Sequence, residues 1–364
     1  MIYLDNSATT KPRKEVLETF ITVNEQYYAN PASIHRMGNE AEDLLEGARA
    51  QIKQLLKMEH AVFTSGGTES NNLALFGVAK AYQHRGKHII TAVTEHPSVL
   101  KSLEALEQQG FDITRLPVDR SGAIDLNELN NALRQDTILV SLMHVNNEIG
   151  TVHPIAEIKK LLKGSRALFH VDAVQSIGKV KLLADSMPDL LSISGHKIHG
   201  LKGSGVLAYN QVELEAILHG GGQEFGLRSG TVAVPQAAAL AKALRLAEPK
   251  PDYAEWNKDL RTFFKGFNGV KTISPETAAP HILAIALKGL KGEILVTGLQ
   301  QESVIVSTSS ACSSKSKEIS HVIEAIGVPR EFKEGVIRIS FGAFTTAQDI
   351  AELKKAFERV YRLV

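Results

Sequence analysis

The stretch Leu191-Ser192-Ile193-Ser194-Gly195-His196-Lys197-Ile198-His199-Gly200 decides the interpretation of the chain. The apolar run over residues 189–193 predicts a buried strand, which ends abruptly at Ser194-Gly195-His196-Lys197. Open α/β folds bind their ligands beyond the C-terminal ends of the strands. A lysine held there by a glycine-containing loop can form a Schiff base with a carbonyl cofactor, although a solvated lysine in a surface turn would show the same pattern.

Short apolar segments alternate with helical patterns on both sides of this stretch. The predicted strands cover residues 61–63, 88–93, 113–118, 138–145, 167–171, 190–194 and 205–209. This alternation is typical of an α/β fold with a mostly parallel central sheet and helices on both faces. Two amphipathic helices precede the first of these strands. Their predicted buried faces are Val16, Phe20, Val23 and Tyr27 for the first, and Ala41, Leu44, Leu45, Ala48, Ile52, Leu55 and Leu56 for the second.

The order of the elements changes after Pro249 and Pro251, which mark the predicted domain boundary. We expect a large domain over residues 15–250 and a smaller α+β domain formed by residues 1–14 and 251–364. The small domain has predicted strands at residues 304–307 and 336–341. Thr346 and Asp349 predict a capping box at the start of the last helix.

Composition excludes several classes of function. The chain has 364 residues, is 43% hydrophobic and 22% charged, and carries a net charge of +1, so neither nucleic acid nor a membrane is an expected partner. The single cysteine excludes an intrachain disulfide and agrees with a reducing, cytoplasmic location. No metal site is expected, because His196 and His199 have no cysteine or carboxylate companions nearby.

Ser65-Gly66-Gly67-Thr68 forms a glycine turn between a predicted strand and a predicted helix. Free amides and the positive end of the helix dipole at such a turn suit a phosphate, although an ordinary βα turn has the same letters. The turn matches neither a Walker A loop nor a GxGxxG fingerprint.

Polar residues also follow three other predicted strands. His96 comes after residues 88–93, where it could lie on an aromatic ring, move a proton or simply cap the next helix. Asp172 closes an apolar strand, where it could pair with a protonated pyridine nitrogen or cap the following turn, and Gln175 lies within reach of a ring oxygen. Ser194 and His196 flank the lysine region and could donate to a phosphate. Together these groups describe a site for pyridoxal phosphate (PLP).

The only cysteine, Cys312, lies in Ser309-Ser310-Ala311-Cys312-Ser313-Ser314-Lys315-Ser316-Lys317. The segment has no apolar period, so burial as a small hydrophobic residue is not expected. Nearby cations would favour the thiolate, and a loop suits a nucleophile that must approach a site and leave it.

These residues resemble the cysteine desulfurases of the NifS/IscS type, which belong to the class V aminotransferase family of fold-type I PLP enzymes. The resemblance runs from Tyr3-Leu4-Asp5-Asn6-Ser7-Ala8-Thr9-Thr10 to Val336-Ile337-Arg338-Ile339-Ser340. Between them it includes Asn30-Pro31-Ala32-Ser33, Thr94-Glu95-His96, Met143-His144-Val145-Asn146-Asn147-Glu148-Ile149-Gly150 and Arg228-Ser229-Gly230-Thr231.

The resemblance implies a PLP-dependent enzyme that converts L-cysteine to L-alanine. In such an enzyme Lys197 would hold the cofactor and move the Cα proton, and Cys312 would take the sulfur as a persulfide and pass it to an acceptor protein. The implied catalytic residues are Lys197, Cys312 and His96. The implied cofactor-binding residues are Gly67, Thr68, His96, Asn147, Asp172, Gln175, Ser194, His196, Lys197 and Thr231, the last from the partner subunit of a homodimer. Asn147 and Arg338 would bind the substrate, with Arg338 gripping its carboxylate.

Two departures and two alternatives accompany this resemblance. Ser309 and Ala343 stand where relatives often have glycine and arginine. Relatives that serve iron–sulfur scaffolds usually extend further than Val364, so a tRNA or thiamine sulfurtransferase is an equally expected acceptor. A selenocysteine lyase, or another enzyme of the same fold, would use Lys197 and Asp172 in the same way. A non-catalytic binding protein would be colourless.

Overall fold

The computed structural model of the protein describes residues 1–181, 187–308 and 319–363. Within these residues the N-terminal part of the chain contains β1 (Ile2–Tyr3), α1 (Lys14–Gln26), α2 (Arg36–Leu56), β2 (His60–Thr64), α3 (Gly67–Tyr82), β3 (His88–Ala92), α4 (Pro97–Glu107), β4 (Asp112–Leu116), α5 (Leu126–Ala132), β5 (Thr137–Met143), α6 (Ile155–Leu161), β6 (Leu168–Asp172), β7 (Leu190–Ser194), β8 (Gly205–Tyr209) and α7 (Val234–Arg245). The C-terminal part contains α8 (Asp252–Phe264), β9 (Val270–Thr272), β10 (Ile282–Leu287), α9 (Gly292–Gln301), β11 (Val304–Ile305), β12 (Ser307–Thr308), α10 (His321–Ala325), α11 (Arg330–Lys333), β13 (Val336–Ser340) and α12 (Ala347–Tyr361).

The central sheet has seven strands in the order β2-β8-β7-β6-β5-β3-β4. Strands β3 to β7 pair in parallel, whereas β8 runs antiparallel to both β2 and β7. The predicted mostly parallel sheet is therefore confirmed. The carboxyl ends of β3, β5, β6 and β7 lie at one edge of the sheet, because parallel strands end on the same side.

Helices cover both faces of this sheet, as predicted. Successive residues of a strand point to opposite faces, and here Leu190 packs against α3 and α4 whereas Leu191 packs against α1, α2 and α7. On the first two helices, Val16, Val23, Ile52 and Leu56 are buried in the same core. The predicted burial of Leu55 is wrong, since its side chain is exposed. Ile52 and Leu56 are four residues apart and share the buried face of the helix, whereas Leu55, one position before Leu56, lies off that face.

A second sheet follows α8. It is antiparallel, with the order β12-β13-β10-β9, and α8, α9 and α12 pack on one face around Trp256, Phe264, Phe341 and Phe357. The capping box at Thr346 and Asp349 is confirmed. The predicted strand at residues 304–307 is instead two short strands. β11 pairs with β1 and β12 pairs with β13, so the backbone changes partner between them.

The chain's start lies against this second sheet, because β1 pairs with β11 and Asp5 forms a bridge with Ser340. The domain limits at residues 15–250, 1–14 and 251–364 stay a prediction. In the part of the chain that the structure describes, no helix is both long enough and apolar enough to cross a membrane.

Candidate active site

Lys197 ends a short 3-10 turn, Gly195–Lys197, directly after β7. Its Nζ donates to the backbone carbonyls of Ser7 at 2.5 Å and Ala8 at 2.8 Å. The turn is tight: a Cβ on Gly195 would lie 2.3 Å from Ser204 Oγ, so only glycine fits there. The sequence prediction of a lysine at the sheet edge is confirmed in position, and the N-terminal segment holds its amine.

Asp172 is the last residue of β6, the strand next to β7. Its buried carboxylate accepts hydrogen bonds from Asn71 Nδ2 at 2.7 Å and from the Val174 backbone N–H at 3.0 Å. The capping alternative is confirmed, since one oxygen caps the turn at Val174, whereas pairing with a pyridine nitrogen stays a prediction. The other oxygen is held by a helix side chain.

His96 is the N-cap of α4, because its Nδ1 accepts from the Ser98 backbone N–H at 3.1 Å. Burial lowers the pKa of His96, and Lys197 adds to this effect, whereas Asp172 opposes it. The neutral ring then carries its proton on Nε2, because Nδ1 is an acceptor. The capping role that the sequence left open is thus present, and it fixes the ring at the end of β3.

A chain of hydrogen bonds connects His96 with Asp172. His96 Nδ1 lies 2.8 Å from Ser98 Oγ, and Asn71 Nδ2 donates to Ser98 Oγ at 2.9 Å as well as to Asp172. Asn71 is buried on α3. It was missed by the sequence analysis, although it follows Ser70 in the glycine-turn segment.

The glycine turn lies close to Ser194 at the start of α3. Gly66 has φ of 154°, which favours glycine, and a Cβ on Gly205 would lie 2.6 Å from the Gly66 Cα. The Ser194 hydroxyl lies close to this turn, buried and without a hydrogen-bond partner in the described part of the chain. A buried hydroxyl without a partner is unfavourable by about 1–3 kcal/mol. An acceptor bound at the N-terminus of α3 would remove this penalty.

Three further predicted phosphate ligands differ in their surroundings. His196 has its Nδ1 3.1 Å from Thr9 Oγ1, and burial next to Lys197 lowers its pKa to about 4, so the ring is neutral. Thr68 is exposed in the first turn of α3 and shares a cleft of about 450 Å³ with His96. Thr231 is exposed in a loop after β8, and its side chain makes no hydrogen bond with the residues that the structure describes.

Gln175 lies three residues beyond Asp172 and is buried. Its Nε2 donates to the Ser7 carbonyl at 2.8 Å, the same oxygen that Lys197 contacts. Its Oε1 accepts from Lys179 Nζ at 3.3 Å. The amide therefore lies beside Lys197, and its expected contact with a ring oxygen stays a prediction.

Arg338 on β13 is 2% exposed, and its guanidinium is partly engaged. Nη2 pairs with Asp5 Oδ1 at 2.9 Å, and Nη1 donates to the Asn147 carbonyl at 2.8 Å. Nε has no partner among the described residues. The pairing with Asp5 was not anticipated, although Asp5 is part of the quoted N-terminal motif. Burial raises the pKa of Asp5, and Arg338 opposes the shift.

Cys312 lies outside the described residues. The residues on either side of its segment are close to the site, since Ser307 pairs with Arg338 across the sheet. On the other side, Ser320 Oγ donates to Glu148 Oε2 at 2.6 Å and His321 Nε2 lies 3.0 Å from the Glu95 carbonyl.

Comparisons with known proteins agree with this geometry. A sequence profile of the class-V aminotransferase family matches residues 2–353. A cysteine desulfurase IscS of Dictyoglomus turgidum is 43% identical over 370 residues, which cover 99% of this chain and 94% of the relative. Among solved structures, a NifS-like protein has a TM-score of 0.92 and 36% identity and covers 100% of both chains. The structure described as SspA in complex with cysteine has a TM-score of 0.84 and 32% identity, covering 95% of this chain and 100% of that one.

The polar ends of β3, β6 and β7, the lysine-bearing turn after β7 and the length of the similarity all point to the same family. The chain belongs to the class-V aminotransferase family, among its cysteine desulfurases of the IscS/NifS type.

Proposed function

We propose that the protein is a PLP-dependent cysteine desulfurase that converts L-cysteine to L-alanine and carries the sulfur on Cys312. The observation that carries the proposal is that Lys197, in the turn after β7, and Asp172, at the end of the adjacent strand β6, lie at one edge of the sheet. The Ser194 hydroxyl beside them has no hydrogen-bond partner among the described residues. The relative of Dictyoglomus turgidum, which has the name cysteine desulfurase, and the similar structure in complex with cysteine support the substrate.

The residues present fit PLP. Gly67 and Thr68 begin α3, the Ser194 hydroxyl lies close to them, and His196 follows in the turn after β7. These residues suit the phosphate of PLP, and Thr231 of a second subunit would complete the group. In the same proposal, Asp172 would face the pyridine nitrogen, His96 would cover the ring and Gln175 would donate to the ring oxygen. When bound, PLP supplies an aldehyde that joins an amine and an electron-poor ring that makes the bonds near the substrate Cα easier to break.

The chain's own groups orient the substrate and move its protons. Lys197 Nζ is held by two carbonyls at the sheet edge, where it can take the Cα proton and return it. Arg338 presents its guanidinium from the second sheet, so it can bind the substrate carboxylate while Asp5 and the Asn147 backbone fix its plane. Asn147 adds a side-chain amide from the loop after β5.

Sulfur transfer needs one thiolate, and Cys312 is the only cysteine. Its thiolate attacks the substrate sulfur, an S–S bond forms and the substrate C–S bond breaks. The electron pair of the broken bond stays with the substrate carbon, which takes up a proton and becomes the methyl group of alanine. The persulfide on Cys312 is then transferred to a thiol of an acceptor protein, either an iron–sulfur scaffold or a tRNA or thiamine sulfurtransferase.

The proposal includes a homodimer and a cytoplasmic location. Thr231 is exposed in a loop, and its hydroxyl makes no hydrogen bond with the described residues. This supports a role for Thr231 in the site of a second subunit. A cysteine that works as a thiolate requires a reducing compartment.

The test combines two variants with product analysis. We expect Cys312→Ala to keep the visible absorbance of bound PLP but to lose alanine and sulfide formation from cysteine with a reductant present. We expect borohydride treatment of the wild type to leave a reduced pyridoxyl group on Lys197, and Lys197→Ala to carry none. Unchanged sulfide formation by Cys312→Ala would remove the thiol from the reaction, and an unmodified Lys197 would overturn the proposal.

A further inference from the structure

Lys179 is a buried lysine for which the proposed reaction has no role. It lies in the turn that follows β6, and its side chain is 8% exposed. Lysines are rarely buried unless they are paired with an acid, and in the described residues no carboxylate lies within ion-pair distance of Lys179. Burial, together with the positive charges of Lys197 and Arg338, lowers its pKa to about 7. A lysine that is retained in such unfavourable surroundings calls for an explanation other than stability.

The one side-chain hydrogen bond of Lys179 among the described residues is to Gln175. Its Nζ donates to Gln175 Oε1 at 3.3 Å. The other end of the same amide, Nε2, donates to the Ser7 carbonyl at 2.8 Å, and Lys197 Nζ donates to that carbonyl at 2.5 Å. A continuous path of hydrogen bonds therefore leads from the buried lysine to the amine at the sheet edge.

Lys179 determines which way the amide of Gln175 faces. An amine with its protons directed at the amide requires an oxygen acceptor there. The reversed amide would place its oxygen against the Ser7 carbonyl, which is repulsive in either protonation state of Lys179. It would also place its NH₂ group against the amine, which is repulsive whenever Lys179 is protonated. With the observed orientation, one proton of Nε2 goes to Ser7 and the second is left for another acceptor.

We propose that Lys179 is a positioning residue that fixes Gln175 with its Nε2 directed at the Lys197 site, where it donates to the ring oxygen of the cofactor. This inference rests on the proposed function, because that proposal assigns Gln175 to the ring oxygen. Lys179 itself does not contact the substrate or the cofactor. Its removal leaves Gln175 free to turn, so the donor to the ring oxygen is lost for part of the time.

The experiment is a double-mutant cycle on PLP binding by the purified apoprotein. Its members are Lys179→Met, Gln175→Leu and the combined variant, and the readouts are the dissociation constant of PLP and the visible absorption maximum of the bound form. Lys181→Met is the matched control, because Lys181 is an exposed lysine two residues further on. Lys179→Gln, a second neutral replacement, is measured in parallel and takes the place of methionine in the cycle if that variant does not fold.

We expect Lys179→Met to weaken PLP binding about tenfold, in line with one lost buried hydrogen bond, and to shift the absorption maximum. Gln175→Leu should have a similar effect, and the double variant should bind no more than about twofold more weakly than Gln175→Leu alone. Lys181→Met should match the wild type in both readouts.

Two results would overturn the inference. One is wild-type affinity and spectrum in Lys179→Met. The other is a double variant in which the losses of PLP affinity of the two single variants multiply. Lys179 would then act independently of Gln175, as a purely structural residue. Failure of the proposed function would look different, since the wild-type protein itself would bind no PLP.

Discussion

Asn71 gives the sharpest test of the site's architecture, because one amide nitrogen serves two functional side chains. Its Nδ2 donates to Asp172 Oδ2 at 2.7 Å and to Ser98 Oγ at 2.9 Å, and Ser98 in turn contacts His96. Replacement of Asn71 by leucine keeps the approximate volume of the side chain and removes both hydrogen bonds. The buried carboxylate of Asp172 is then left with the Val174 backbone N–H.

The expected loss follows from the charge of the acceptor. A hydrogen bond to a charged group contributes about 1.5–3 kcal/mol, roughly twice the contribution of a neutral one. At 1.36 kcal/mol for each factor of ten, Asn71→Leu should lower kcat/KM for cysteine by about 10- to 150-fold. Ser98→Ala removes only the link to His96 and leaves Asp172 bonded to Asn71. Since this link joins neutral groups, we expect a smaller decrease in kcat/KM, about 2- to 10-fold.

The assay measures alanine formation from cysteine with saturating PLP, together with the visible spectrum of each variant. The exposed Asn24, which donates only to the Phe20 carbonyl of its own helix, supplies the control variant Asn24→Leu. We expect the control to keep wild-type kinetics. An Asn71→Leu protein with kcat/KM within about twofold of the wild type would show that Asp172 needs no support from α3, and the reasoning would fail.

Two further predictions concern stability. Arg49 forms a buried, two-pronged ion pair with Glu224 at 2.7 Å, so Arg49→Met should lower the free energy of unfolding in denaturant by about 3–5 kcal/mol. Arg36→Met, at an exposed pair, should leave the free energy of unfolding unchanged within measurement error, and equal losses in the two variants would contradict this. Burial lowers the pKa of His170 from 6.5 to about 4. Above pH 6.5, His170 is neutral in both the folded and the unfolded state. Between pH 6.5 and 4 only the unfolded state takes up the proton, so the free energy of unfolding decreases as the pH is lowered. His170 contributes about 3 kcal/mol to that decrease, so His170→Gln should flatten the acid side of the stability profile measured by denaturant titration. An unchanged slope would show that His170 does not cause the acid destabilisation.

The sequence predicted the central sheet well because its strands are buried on both faces. Such strands are nearly continuous apolar runs separated by helices, which is a strong local signal. The same signal says nothing about direction, so the antiparallel course of β8 was not foreseen. Likewise the run at residues 304–307 predicts one strand, but the exchange of partners between β11 and β12 depends on the distant strands β1 and β13.

At the site, the sequence located groups at strand ends but not the groups that hold them. Asp172 and Lys197 are visible because a charged residue at the end of an apolar run is unusual. Asn71 is one of two adjacent asparagines on a helix, and only the packing of α3 against the sheet distinguishes the buried one from Asn72. Lys179 lies in a turn where a lysine is normally solvated. Its burial results from tertiary packing that no local pattern reports.

The extended N-terminal segment explains how the two halves of the site keep their relative position. Asp5 binds Arg338 of the second sheet, the Ser7 and Ala8 carbonyls bind Lys197 at the edge of the central sheet, and Thr10 bonds to the His196 carbonyl through both its N–H and its hydroxyl. The proposed binding group for the substrate carboxylate and the proposed proton carrier are thus connected by a few residues of the N-terminal segment. A change in this segment would alter the distance between them without touching either side chain. The segment before α1 is therefore part of the site.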